Sequence, residues 1–189
     1  HTSKRRDRYR IAVTAVTGNG TWQYSTDGVT WKAFGSVSST SALLLTSTSQ
    51  VRYVPDGLNG ETATFSFKAW DQTSGTASTN STQSYATTAS SGGTTAFSTN
   101  NASASITVTA VNDAPVLDNS GTMSLTTITE DQSNNSGNTV AAIIASAGGD
   151  RITDVDSAAS EGIAITDTGF GYGTWQYSVD GGANWLDVG

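Results

Sequence analysis

The clearest pattern along the chain is alternation. Ala63, Phe65, Phe67 and Ala69 stand at every second position with Thr64, Ser66 and Lys68 between them. That period of two sends one face of a strand toward a core and the other toward water. Ile106, Val108 and Ala110 repeat the pattern, and Trp22 and Tyr24 share one strand face. Read this way, the first part of the chain predicts strands over 11–17, 21–25, 31–34, 42–46, 51–54, 62–70 and 103–111. The second part predicts strands over 124–129, 140–145, 163–166 and 174–178. Gly, Asn and Asp turns punctuate them, and no stretch carries a convincing helical stripe, so an all-β antiparallel sandwich is expected. The Ser/Thr/Gly-rich stretch 74–101 has no clear periodicity and reads as a long loop or irregular hairpin.

The turns also reveal a repeat. The segment IAVTAVTGNGTWQYSTDGVTW from Ile11 returns as IAITDTGFGYGTWQYSVDGGANW from Ile163, so that Trp22 aligns with Trp175. The repeat unit is therefore a whole domain, too long for a solenoid turn or a propeller blade. A boundary is expected at 112–115, where Pro115 lacks a ladder donor and biases Ala114 to an extended conformation. This divides the chain into a basic segment at 1–10, a first repeat at 11–113 and a second at 114–189. The first copy is expected to lack its opening strands and the second its closing ones.

Composition fits strands and turns. Ser and Thr supply 57 of 189 residues, and only 13% of residues are charged. With no cysteine, neither a disulfide nor a thiolate metal site is available. The net charge is −7, yet five of the nine basic residues (Lys4, Arg5, Arg6, Arg8 and Arg10) fall in the first ten positions. From Asp113 onward eleven acidic residues face a single base, Arg151. Nucleic acid and anionic membranes are thus poor partners for this chain, and a cation-rich extracellular setting, secreted or at a cell surface, suits it better. The longest apolar run, at 140–145, falls far short of the roughly 20 residues of a spanning helix. The basic cluster reads as an unstructured tail foreign to the repeat, or as an arm for an anionic partner.

The acidic residues are the candidates for chemistry, and that chemistry is calcium binding. Hard cations take six to eight oxygen ligands, which carboxylates, Asn and backbone carbonyls supply. In ITDVDS, Asp154 and Asp156 alternate along an extended segment and point to one side. On spacing alone these acids read equally as solvated turn residues. A resemblance favours the ion. TVTAVNDAPVL resembles the linker of cadherin repeats and of the bacterial cadherin-like repeats of large surface adhesins. DVDS is similar to the paired-Asp motif of the following cadherin domain, NGETATFSFKAWDQTSG to its Glu-strand-Asp stretch, and TITED to its early-strand Glu motif. The resemblance implies tandem Ig-like, cadherin-like sandwiches with Ca2+ held by Glu61, Asn112, Asp113, Asp154 and Asp156. Asp71 and Glu130 would belong to neighbouring junctions. It implies, too, a role in cell adhesion or surface spacing, with neighbouring repeats or other copies of the same protein as partners. One departure stands out: the single Asn-Asp is shorter than the acidic linker of animal cadherins.

Two other readings remain. SVDGGANW at 178–185 is similar to the Asp-box S-x-D-x-G-x-x-W of sialidase-like propellers, and STDGVTW at 25–31 is a version one residue shorter. A propeller would repeat the motif every ~40–50 residues, so Asp27 and Asp180 are expected to be turn braces. The five tryptophans, Trp22, Trp31, Trp70, Trp175 and Trp185, keep a carbohydrate-binding module in play, with a surface polysaccharide as its ligand. Trp70, on the strand face opposite Phe65 and Phe67, is the one expected to be exposed. No catalytic group is expected: the sole His is His1, the acid pairs lie in turns, and the glycines at 169–173 do not open a helix.

Overall fold

The computed structural model describes residues 9–169 and 171–189. The chain is all-β and antiparallel, with one short helix among the described residues. It divides into two compact units, His1–Val111 and Asn112–Gly189. The basic segment at 1–10 lies outside the described residues except for Tyr9 and Arg10.

The first unit holds strands β1 (Ile11–Val16), β2 (Thr21–Ser25), β3 (Lys32–Ala33), β4 (Ala42–Leu45), β5 (Gln50–Val54), β6 (Glu61–Trp70), β7 (Tyr85–Ala86) and β8 (Phe97–Val108). They form a five-stranded sheet, β7-β4-β1-β6-β8, and a three-stranded sheet, β3-β2-β5. The alternation decides which residues meet. Val13, Leu43, Leu45 and Ala63 from the larger sheet pack against Trp22, Tyr24 and Tyr53 from the smaller, with Phe34 among them. The rings interlock: Trp22 lies 5.0 Å from both Tyr53 and Phe65, centroid to centroid, within the range in which aromatic pairs attract.

The larger sheet is covered on its other face as well. Ala12, Ala42, Leu44, Trp70, Ala96 and Phe97 form a second apolar cluster there, which is why β4 reads as an unbroken Ala-Leu-Leu-Leu run. The cover is the stretch after β6. Trp70 Nε1 donates to the Ser74 carbonyl at 2.8 Å, Ser78 N to the Leu44 carbonyl at 2.9 Å, and Thr88 N to the Ser39 carbonyl at 2.7 Å. The expectation that Trp70 is exposed is therefore corrected. It does lie opposite Phe65 and Phe67, but it is 2% exposed because that face is roofed. The expected loop at 74–101 likewise contains β7 and the first residues of β8.

The second unit is sparer. Val116–Leu117 (β9) pairs with Ile152–Thr153 (β10), and Gln176–Tyr177 (β11) with Leu186–Asp187 (β12). Val140–Ala145, expected as a strand, is the helix α1. Thr139 caps it, its hydroxyl accepting from Ala142 N at 3.2 Å. A six-residue apolar run without alternation carries no period that separates strand from helix, and the cap tips it toward helix. Among the described residues, 124–129 and 163–166 form no strand. Among the described residues of this unit, Ile144 and Ile152 are the buried hydrophobics.

Candidate functional site

The acidic residues fall into three local arrangements. In the first unit, Glu61 opens β6 and its carboxylate accepts from Asn19 N through both oxygens, at 3.1 and 2.9 Å. The Tyr53 hydroxyl donates to the same carboxylate and itself accepts from Gly20 N at 2.5 Å. Burial and the bond to Glu61 raise the Tyr53 pKa. This clamp fixes the turn between β1 and β2, where Gly18 and Gly20 leave no room for a side chain. A Cβ on Gly18 would sit 2.4 Å from the Tyr53 hydroxyl, and one on Gly20 would sit 2.2 Å from the Val54 carbonyl oxygen. The resemblance to cadherin-like repeats implied an ion at Glu61, but no short motif pointed to Tyr53, whose hydroxyl comes from a different sheet.

In the second unit, Asp113 and the DVD segment meet. Asp113 N donates to Asp156 Oδ2 at 2.8 Å, and Asp156 N donates to Asp154 Oδ1 at 2.9 Å. All three are half-buried. Asn112 is exposed, and its side-chain amide donates to the Asp113 carbonyl at 2.6 Å. Among the described residues, no three His, Cys, Asp or Glu side chains converge as a metal site. Asp71, exposed, accepts from the amide and hydroxyl of Thr73 at 2.8 and 2.7 Å, and these bonds lower its pKa. Glu130 lies exposed in a turn.

The third arrangement occurs twice. Asp27 Oδ1 accepts from Val29 N and Thr30 N, both at 2.8 Å, and from the Ser25 hydroxyl at 2.9 Å. Asp180 Oδ1 accepts from Asn184 N at 2.9 Å and the Ser178 hydroxyl at 2.7 Å, while its Oδ2 accepts from Asn184 Nδ2 at 2.6 Å. Phe34 N donates to the Trp22 carbonyl and Val188 N to the Trp175 carbonyl, both at 2.9 Å. The ladder registers also agree, Gln23 facing Ala33 and Gln176 facing Asp187. The backbone amide of Thr30 is the main cause of a strongly lowered Asp27 pKa; the Asn184 side chain and amide bring Asp180 down to about 2. Both acids thus act as turn braces, their oxygens engaged by the hairpin itself.

Around the first hairpin, the Arg52 guanidinium lies 4.1 Å over the Trp31 ring while its Nε donates to Gln23 Oε1 at 2.8 Å. This clasp on the outer face of the small sheet was not legible in the sequence, since Arg52 is distant from both partners along the chain. Trp175 and Trp185 in the second unit are exposed to 53% and 37%. A shallow, uncharged recess lined by Asn134, Asn135, Ser136, Gly181 and Gly182 borders Trp185. No helix among the described residues is long and apolar enough to cross a membrane. No protein-family model, curated protein or solved structure matches this chain.

Proposed function

We propose that this chain is a non-catalytic structural and adhesive module from an extracellular or cell-surface protein of tandem Ig-like, cadherin-like repeats. In this reading calcium orders the start of the second unit. The observation that carries it is the bond from Asp113 N to Asp156 Oδ2, which ties the Asn-Asp-Ala-Pro segment to the DVD segment 43 residues later. The internal repeat of a domain-length unit supports the tandem architecture.

The donor set fits a hard cation in kind. Asn112, Asp113, Asp154 and Asp156 are the residues that would hold calcium, through oxygen ligands alone. One oxygen of Asp154 and one of Asp156 are taken by amides, so an ion would draw on their other oxygens and on further carbonyls. Glu61 remains a candidate by resemblance, with both oxygens engaged by its own turn. An ion bound only to the folded state stabilises it by RT ln(1 + [L]/Kd), about 2.7 kcal/mol at a hundredfold excess over Kd. Extracellular sites commonly have Kd of about 10⁻⁴–10⁻³ M, so millimolar calcium is the range to test.

The test is thermal unfolding of the full chain with calcium and with chelator. A rise in Tm that disappears in the Asp154→Asn/Asp156→Asn double variant is expected. An identical Tm in both conditions would remove calcium from the proposal. A second reading, binding of neutral polysaccharide, is favoured by the exposed Trp175 and by the uncharged recess beside Trp185. Saccharide-dependent quenching of tryptophan fluorescence, lost in Trp185→Ala, would favour it.

A further inference from the structure

The two copies of the hairpin differ in one respect that chemistry can interpret. In the first, β2 is a central strand: β3 pairs with one edge, and β5 with the other through Thr21↔Val54, Trp22↔Tyr53, Gln23↔Arg52, Tyr24↔Val51 and Ser25↔Gln50. In the second, β12 occupies the edge of β11 that corresponds to β3, and among the described residues no strand pairs with the other edge. The Trp175 carbonyl accepts from Val188. Strand alternation therefore aims the N–H and C=O of Gln176 away from β12, at that other edge. Trp175 and Tyr177, whose counterparts Trp22 and Tyr24 are buried, are 53% and 43% exposed.

We propose that the edge of β11 is a strand-addition site for an extended segment of the β5 type, with alternating apolar residues and a central arginine. The first unit shows what such a segment does on this hairpin. Val51 and Tyr53 pack toward the core cluster, and Arg52, between them, lies over Trp31 and bonds Gln23. The second hairpin carries the same two acceptors, Gln176 and Trp185, at the matching places. It adds a charge: Asp187 stands where the first has Ala33, and its Oδ1 accepts from Gln176 Nε2 at 2.9 Å. An acid beside a glutamine and a tryptophan face selects a basic residue at the centre of the incoming strand. The proposal is independent of calcium and of the adhesive reading.

The probe is the chain's own segment 47–55, joined by a flexible linker to the C-terminus of the full chain and, separately, added as a free peptide. Tethering holds it at roughly millimolar effective concentration. Amide exchange at Gln176 is expected to slow about tenfold or more with the tethered segment. Binding of the free peptide is expected to weaken several-fold with Asp187→Asn and with added salt. An Arg52→Glu version of the segment should fail to protect. Unchanged exchange at Gln176 with the tethered segment overturns the proposal, as does equal protection by the Arg52→Glu version. If the chain without the segment already dimerises with Gln176 protected, the occupant is a second copy and the β5-type assignment is wrong.

Discussion

One sequence motif, GTWQYS followed by Asp-Gly, builds the same hairpin in both units, yet its side chains do different work in each. In the first unit Trp22 and Tyr24 are core residues, sealed by β5 along the edge and by Val13, Leu43, Leu45 and Ala63 from the opposite sheet. In the second, Trp175 and Tyr177 keep their places on the hairpin and remain about half exposed to solvent. The hairpin therefore needs only local bonds: the Asp brace, the Ser hydroxyl and the first rungs of the ladder. Burial of its aromatic face is a separate, non-local event that depends on strands distant in sequence. A motif can specify a turn without specifying what covers it.

The largest expected effect breaks this comparison at the tryptophans. Trp22→Ala removes a ring that touches Phe34, Tyr53 and Phe65, and should cost about 3–5 kcal/mol in unfolding free energy. Trp175→Ala, at an exposed position, should fall within about 0.5 kcal/mol. Urea unfolding of the two variants beside the parent chain measures both. Equal losses would mean that the second hairpin is as well covered as the first.

Next come the glycines that precede the motif. Gly18 has φ +109°, and a Cβ there would collide with Tyr53 and Ala63. Gly18→Ala should therefore cost at least about 2 kcal/mol, from backbone strain and overpacking together. The aligned Gly171 meets nothing within 4 Å, and Gly171→Ala should be tolerated within about 0.5 kcal/mol. Thermal unfolding of the pair reads the difference directly. If Glu61 and Tyr53 are what make this turn rigid, Glu61→Gln should shift Tm in the same direction as Gly18→Ala but by less.

These positions show how far the sequence could be read. Alternation at 63–69 located β6, and the repeat located both hairpins with their braces, because these patterns are local and the period-two rule is strict. The roofing of Trp70 was not legible, since it depends on a Ser/Thr-rich stretch whose contacts run through backbone bonds such as Ser78 to Leu44. Backbone bonds leave no side-chain signature. The Val140–Ala145 helix was missed because six apolar residues carry no distinguishing period, and the deciding contact is one capping hydroxyl. The Asp113–Asp156 bond lies between these cases. Both residues were singled out, but only the fold joins an amide at 113 to a carboxylate at 156.

A smaller effect sharpens the comparison at Arg52. Its guanidinium over Trp31 is an exposed cation–π contact, and Arg52→Ala should cost about 0.5–1 kcal/mol. Arg52→Lys should recover only part of this, because a lysine ammonium cannot stack its charge on the ring while bonding Gln23 in the same geometry. Double-mutant analysis with Trp31→Ala separates the stacking from the hydrogen bond. Coupling near zero would show that the ring and the guanidinium are neighbours without attraction.

The smallest effect is electrostatic and tests whether the two braces are equivalent. Both Asp27 and Asp180 have carboxyls held below their ordinary range by hydrogen bonds from the turn, Asp180 at about 2. A carboxyl whose folded pKa is depressed binds fewer protons folded than unfolded. Its contribution is therefore fully present above its unfolded value, about 3.9, and is lost as pH falls through the folded one. For Asp180 that window runs from about pH 4 down to about pH 2. Asp27 is strongly lowered as well. Side-chain carboxyl resonances followed by NMR should show both acids titrating below the ordinary aspartate value. Asp27→Asn and Asp180→Asn should each flatten the acid limb of the stability curve without altering stability near neutral pH by the amount that Trp22→Ala does. If Asp180 instead titrates at the ordinary value while Asp27 does not, its bonds to Asn184 are not formed in solution. The second hairpin would then need a covering strand to become the structure that the first hairpin already is.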